Sequence, residues 1–375
     1  MTEKIIHTAA EVVERASKEK PADAVLRTEL RSRTGISRED GRAISIAVFA
    51  YYRWHGWLNL KETVPQQIRR ALELNEAFQK NQLSVSDAEL LRAVPGWIKD
   101  CVEVSTGWLR ALQSEPALWL RARVGQGSEL ARELGDCRSA GAGALADALR
   151  YEGTKDLFRT PQFHGGRFEL QDISSQVVGL VCDPKPGETW WDACAGEGGK
   201  TLHLGDLMRN KGLVWASDRA AWRLQQLKRR AARAGLFNYR TALWTGATKL
   251  PTKTKFDGIL VDAPCSGLGT WQRNPHARWT VRPVDIVELA ELQKRLLGNA
   301  VEALKPAGRL FYSVCTLSRN ETSEVVEAIT KQFPKLKPWP LPNPFDEGAA
   351  ETNQLWLWPE KTGGNGMFIA AWENG

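Results

Sequence analysis

The chain has 375 residues, 42% hydrophobic and 25% charged, with 51 Lys plus Arg against 44 Asp plus Glu and a net charge of +7. That composition describes a folded chain of two or three domains and excludes global disorder. No stretch approaches 18 consecutive apolar residues, which excludes a transmembrane helix, and the charge-broken opening MTEKIIHTAAEVVERASKEK lacks the apolar core of a secretory signal, so a cytoplasmic location is expected.

In chain order, the first hundred residues place apolar groups at three- and four-residue spacing. This predicts helices over 11–20, 22–33, 38–54 and 85–94. Ser37, ahead of Glu39 and Asp40, carries the signature of an N-cap. The stretch YYRWHGWL, Tyr51 to Leu58, reads as helix core and helix end. Residues 1–115 therefore read as a helical accessory domain without a catalytic constellation.

From 117 the pattern changes. Residues 117–124 are strand-like, 128–134 helical, 139–148 small and loop-like, and 148–151 and 167–170 short strands. Residues 116–168 thus form a small α+β connector. Beyond it strands alternate with helices. Strands are expected at 189–195, 213–218, 239–244, 256–264 and 309–316, with helices at 201–209, 220–234, 283–304 and 320–332. Two final strands, 355–359 and 367–373, flank a Gly-rich turn, which makes that pair antiparallel. The alternation predicts a parallel, doubly wound α/β sheet over residues 169–375. Five parallel strands and a terminal hairpin give seven, the outline of a Rossmann-like class I methyltransferase sheet.

The six cysteines at 101, 137, 182, 194, 265 and 315 form no C-x-x-C pair, so their spacing supports neither a disulfide scaffold nor a zinc site. Residues 209–255 hold twelve basic groups and one acidic group, Asp218, and Arg273 and Arg278 follow closely. Both a solvated helix face and a nucleic-acid surface fit such a run.

The first strand of the sheet leads into Asp192-Ala193-Cys194-Ala195-Gly196-Glu197-Gly198-Gly199-Lys200-Thr201. A Gly-rich turn opening a helix lets a cofactor approach the backbone. A phosphate-binding P-loop needs glycine at 194, where Cys194 stands, and a dinucleotide fingerprint needs glycine at 201, where Thr201 stands. An S-adenosylmethionine turn needs the glycines and an acid ending the second strand. Asp218 is placed for that, as acceptor for the ribose hydroxyls.

Strand four ends in Asp262-Ala263-Pro264-Cys265-Ser266-Gly267 and strand five in Ser313-Val314-Cys315-Thr316. Ligands of open α/β sheets bind at the C-terminal strand ends, so two thiols and a carboxylate converge on the cofactor corner. Thiols beside a methyl donor suit carbon 5 of a pyrimidine, which is a poor nucleophile. A thiolate adding to carbon 6 makes carbon 5 an enamine carbon, and Asp262 can hold the proton for ring N3. A free thiol has a pKa of about 8.5, so a positive local field favours the reactive form.

Around these motifs the chain resembles the RNA cytosine-C5 methyltransferase family that includes the bacterial ribosomal RNA small-subunit enzymes of the Sun/NOP type. The similarity runs through Asp262 to Gly269, Arg273-Asn274-Pro275, Trp279, Leu292-Gln293, Leu304 to Gly308, Ser313 to Thr316, Gln171 to Gln176 and Pro186-Gly187-Glu188. It covers Ala117 to Trp372, and more weakly the helical N-terminus, which resembles the family's NusB-like RNA-binding domain. The resemblance implies that Cys315 is the nucleophile, that Cys265 assists release, and that Asp262 serves both target base and cofactor. It also implies that Cys194, Ala195, Gly196, Glu197, Gly198, Gly199 and Lys200 form the cofactor loop, with Lys200 also near substrate, and that Asp218 holds the ribose.

The chain departs from the family in three places. Gly196-Glu197 replace Ala-Pro in the loop, no acid follows strand three between Leu243 and Lys249, and Lys361 to Phe368 lacks the usual His and Asp. The expected partner is RNA, ribosomal RNA first and transfer RNA second, and no metal is implied. An RNA-binding assembly factor that kept the fold and lost catalysis stands as the alternative. An amino-group methyltransferase would carry an aromatic where Cys265 stands.

Overall fold

The computed structural model describes residues 1–375 except Thr34 and Glu347. These residues fall into two compact units, Met1–Pro116 with Gly267–Asp285, and Ala117–Ser266 with Ile286–Gly375.

The first unit is helical. Helices Glu3–Arg15, Ala22–Ser32, Arg38–Trp54 and Val64–Gln79 pack Ile6, Val12, Val48, Ile68 and Leu74 into one core. Ser37 caps its helix as expected, its Oγ accepting from the Asp40 N–H at 3.0 Å. The first helix ends at Arg15 and does not reach Lys20, because Ala16 turns extended. The expected helix at 85–94 is a single turn, Asp87–Leu90, followed by a tighter 3-10 turn to Ala93. Val64–Gln79 was not anticipated, because Gln67 and Asn75 occupy buried positions and break the apolar periodicity.

The segment Gly267–Asp285 belongs to this unit. Arg278 is fully buried, and its guanidinium donates to the carbonyls of Ala93 at 3.0 Å, Leu112 at 2.9 Å, Trp271 at 3.0 Å and Arg53 at 3.4 Å. The Trp279 indole donates to the Tyr52 carbonyl at 2.7 Å, and Lys18 pairs with Asp285 at 2.6 Å. The expectation that Arg278 joins a phosphate-binding surface is thereby corrected. Its Nη1 and Nη2 groups tie separate segments together inside the unit, which is the use a planar fork suits.

The second unit begins with a small antiparallel sheet of β1 (Leu118–Ala122), β2 (Cys137–Ser139), β3 (Ala148–Tyr151) and β4 (Phe168–Leu170), in the order β2-β3-β1-β4. The helix Gly127–Leu134 covers it with Leu130 and Leu134. The large sheet follows with β5 (Thr189–Asp192), β6 (Leu213–Asp218), β7 (Tyr239–Leu243), β8 (Phe256–Asp262), β9 (Leu304–Val314), β10 (Leu336–Pro338), β11 (Gln354–Leu357) and β12 (Met367–Asn374).

The order is β10-β12-β9-β8-β5-β6-β7, with β11 also on β12. β5 to β9 are mutually parallel, and β12 runs antiparallel beside β9. Among the described residues the sheet therefore has eight strands, one more than expected. β10 is three residues ending in proline, too short to carry a period, and it shares the outer edge of β12 with β11. Alternate residues serve the two faces. Trp191, Ile259, Val261 and Leu310 enter one core, and Trp190, Leu260 and Phe311 the other. The strand order reverses between β5 and β8, where doubly wound sheets open a crevice.

Candidate active site

That crevice is a cavity of about 510 Å³, the size of a ligand site. One side is the turn after β5. Gly198 has φ 87°, and a Cβ there would meet Leu227 Cγ at 2.5 Å, so only glycine fits. Gly196 has φ 54°, and a Cβ there would meet nothing within 4 Å, so its backbone faces open space. The Gly196 N–H donates to Asp218 Oδ2 at 3.0 Å and the Ala220 N–H to Asp218 Oδ1 at 2.8 Å. Asp218 is thus fixed at the end of β6, lining the cavity with lone pairs to spare.

Cys194, Ala195, Gly196, Glu197, Asp218 and Asp262 line the cavity as the sequence reading expects of a cofactor site. Gly198, Gly199 and Lys200 lie outside its lining. Gly198 is packed on Leu227, and the Gly199 carbonyl accepts from the buried Arg121 guanidinium at 3.2 Å. Lys200 is buried behind Asp262, with Nζ 2.7 Å from Asp262 Oδ2. Burial lowers the Lys200 pKa, but the Asp262 charge and hydrogen bond, with Cys315 adding to them, outweigh it and hold the ammonium above its usual range. The other Asp262 oxygen accepts from Ser313 Oγ at 2.7 Å.

Cys265 and Cys315 enter from neighbouring strand exits, and their Sγ atoms lie 3.3 Å apart. What holds them is Glu321, which sequence reasoning missed. This fully buried carboxylate accepts from the Ser266 N–H at 2.8 Å, the Ser266 hydroxyl, the Thr316 hydroxyl at 3.0 Å and Gln293 Nε2 at 3.1 Å. It therefore bridges the residue after each thiol. Burial raises its pKa, and the bonds from Ser266, Gln293 and Thr316 oppose the rise. Gln293 also donates to the Pro264 carbonyl at 2.9 Å. A lone acid six residues after a cysteine carries no local signal of this role.

Nor did sequence reasoning indicate what stands after strand three, where the family's acid is absent. Trp244, Thr245 and Gly246 line that stretch with Leu292 and Leu296, an apolar slot edged by backbone groups. Arg219 and Arg223, counted with the basic run, line the cavity too. Deeper in, Asp192 is fully buried, and its Oδ2 accepts from Thr201 Oγ1 at 2.6 Å. Burial pushes its pKa up to about 7 against that bond.

A family model described as 16S rRNA methyltransferase RsmB/F matches residues 179–373. The chain is 34% identical over 297 residues to the Synechocystis sp. "Probable ribosomal RNA small subunit methyltransferase B", covering 74% of this chain and 66% of that protein. It is 37% identical over 200 residues to the Mus musculus "tRNA (cytosine(72)-C(5))-methyltransferase NSUN6", covering 49% of this chain and 41% of that protein. The structure of NSun6 from Pyrococcus horikoshii with SFG superposes with a TM-score of 0.61 at 20% identity, over 72% of this chain and 93% of that chain, a likeness of fold. The chain spans less than two thirds of the length of these two curated relatives.

Proposed function

We propose, for a chain that belongs to the 16S rRNA methyltransferase RsmB/F family, that it transfers a methyl group from S-adenosylmethionine to carbon 5 of a cytosine in RNA. Ribosomal RNA is the first substrate candidate, and transfer RNA the second. The observation that carries this reading is the pair of thiols 3.3 Å apart on the wall of a cavity that Asp218, Asp262 and the Gly196 turn also line.

The cavity residues fit the cofactor. Asp218 is left with acceptor capacity for ribose hydroxyls, the open backbone at Gly196 and Glu197 admits the amino-acid end, and the Trp244–Gly246 stretch with Leu292 and Leu296 suits adenine. The structure solved with SFG is alike in fold. When bound, S-adenosylmethionine supplies an electrophilic sulfonium methyl.

The chain's own residues do the rest. The Cys315 thiolate forms a bond to carbon 6 of the cytosine, which places the electron pair on carbon 5. Asp262 and Lys200 share the proton that ring N3 takes, and Ser313 fixes the carboxylate's orientation. Once carbon 5 has gained its methyl group, the Cys265 thiolate removes the carbon 5 proton. The carbon 6–sulfur bond then breaks, Cys315 leaves as thiolate, and the N3 proton returns to the Asp262–Lys200 pair. Retention of both thiols and Asp262 disfavours the catalytically silent assembly factor. The helical unit is assigned the role of a NusB-like RNA-binding module. Among the described residues no helix is long and apolar enough to cross a membrane.

Bisulfite sequencing of total RNA from cells with and without the gene tests the proposal. A cytosine protected only when the gene is present supports it. An unchanged profile overturns it.

A further inference from the structure

We propose that the helical unit carries a nucleotide pocket of its own, which takes one further unpaired nucleotide of the RNA substrate. This rests on the RNA methyltransferase reading and names a contact that the reading lacks. A cleft of about 500 Å³ opens within the Met1–Pro116 and Gly267–Asp285 unit, separate from the cavity that holds the thiols. Its volume is in the range of ordinary small-ligand sites.

The lining has the chemistry of a nucleotide. Ile46, Phe49 and Pro116 supply an apolar wall with one aromatic, the kind of surface on which unstacked bases rest. Arg42, Arg53 and Arg273 bring three guanidinium groups to the same cleft. Arg53 is 5% exposed, its Nη1 donates to Asn75 Oδ1 at 3.2 Å, and its Nε has no partner among the described residues. Asn274 Oδ1 is likewise buried and unpartnered. A buried donor and a buried acceptor without partners, on two residues of one lining, are costly, and a ligand that reached them would relieve the cost.

The lining is not a bare anion hole. Asp23 and Glu115 share it, with Asp23 already paired to Arg27 at 3.2 Å. Three guanidiniums against two carboxylates suit a base with its phosphate better than a phosphate alone or an acidic peptide. Arg273 and Asn274 come from the segment that Arg278 locks into this unit. Arg273 follows Cys265 by eight residues, a chain reach of at most about 28 Å. A single RNA strand can span that distance in a few nucleotides.

Photocrosslinking of the full chain to 4-thiouridine-substituted small-subunit ribosomal RNA, read by mass spectrometry, tests the pocket. The expected adduct lies on the tryptic peptide from Ala43 to Arg53. Arg42→Glu and, separately, Phe49→Ala should each weaken binding of that RNA about tenfold, with S-adenosylmethionine affinity unchanged. Arg42 is exposed, so its variant stays informative if Phe49→Ala unfolds. Crosslinks confined to other peptides, or RNA affinity unchanged in Arg42→Glu, overturn the pocket. A gene-dependent methylcytosine beside those results leaves the methyltransferase reading intact, and its absence sinks that reading by itself.

Discussion

Cys265 Sγ and Cys315 Sγ stand 3.3 Å apart, at the ends of adjacent parallel strands. At that separation the two thiols cannot act independently. A hydrogen bond can join them with either sulfur as donor, so a change at one is felt at the other.

The order of events separates their roles. Cys315→Ala should abolish methylation and form no covalent RNA complex. Cys265→Ala should still attack and methylate, then fail to release. That variant should show a protein–RNA adduct on denaturing electrophoresis that depends on S-adenosylmethionine. The opposite pattern would exchange the two assignments, and full activity in either variant would reduce that thiol to packing.

Glu321 is a positioning residue for both thiols, since it bonds Ser266 and Thr316 and not the reacting atoms. Glu321→Ala should lower kcat by about a hundredfold, roughly 2.7 kcal/mol, with the KM for S-adenosylmethionine unchanged. Glu321→Gln keeps one acceptor for the Ser266 N–H and should recover part of the loss. Equal damage to kcat and cofactor KM, with no rescue by glutamine, would mark a merely structural role.

Asp218→Ala should weaken S-adenosylmethionine binding by roughly 1.5–3 kcal/mol, the worth of hydrogen bonds to a charged acceptor. The loss has two sources, the ribose contacts and the Gly196 N–H that orders the turn. Calorimetric titration measures it, and wild-type affinity would put the ribose elsewhere.

Asp192 sets a pH dependence. Burial raises its native pKa to about 7, above the usual carboxylate value of about 3.9 in the unfolded chain. Between those two values the native state holds a proton that the unfolded state has released. This group's contribution is therefore intact below about pH 4, and stability falls as pH rises toward 7. Asp192→Asn removes the titration and keeps an acceptor for Thr201. Its stability should gain on wild type at pH 8 relative to pH 5 by up to about 2.7 kcal/mol, two pH units of titration, and its melting midpoint should move with it. A pH-independent difference would contradict the assignment.

The basic run divides into two classes. Arg230 and Arg233 are committed to the buried Glu169, Arg230 at 2.9 Å, whereas Lys228 and Arg229 are exposed. Lys228→Glu with Arg229→Glu should weaken RNA binding and shallow its log–log salt slope by roughly one unit per lost phosphate contact. Arg230→Ala should instead cost roughly 1.5–3 kcal/mol of stability. An unchanged salt slope in the double variant would return the exposed pair to an ordinary solvated face.

Local sequence determined the frame of this protein. The period of each strand, the glycines at 196 and 198, and the acids and thiols at strand exits are all short-range features. A doubly wound sheet sends every such exit to one edge, so Asp218, Asp262, Cys265 and Cys315 could be placed together from their order alone. Tertiary structure decided which groups are committed to the interior. Glu321 meets Ser266 across 55 residues, Arg230 meets Glu169 across 61, and Arg278 meets the Arg53 carbonyl across 225. No window along the chain reports such pairings, because a buried charge is stable only where the fold brings its partner. That is why Glu321 escaped the sequence reading, and why Arg278 looked like a surface cation when it holds the Gly267–Asp285 segment inside the helical unit.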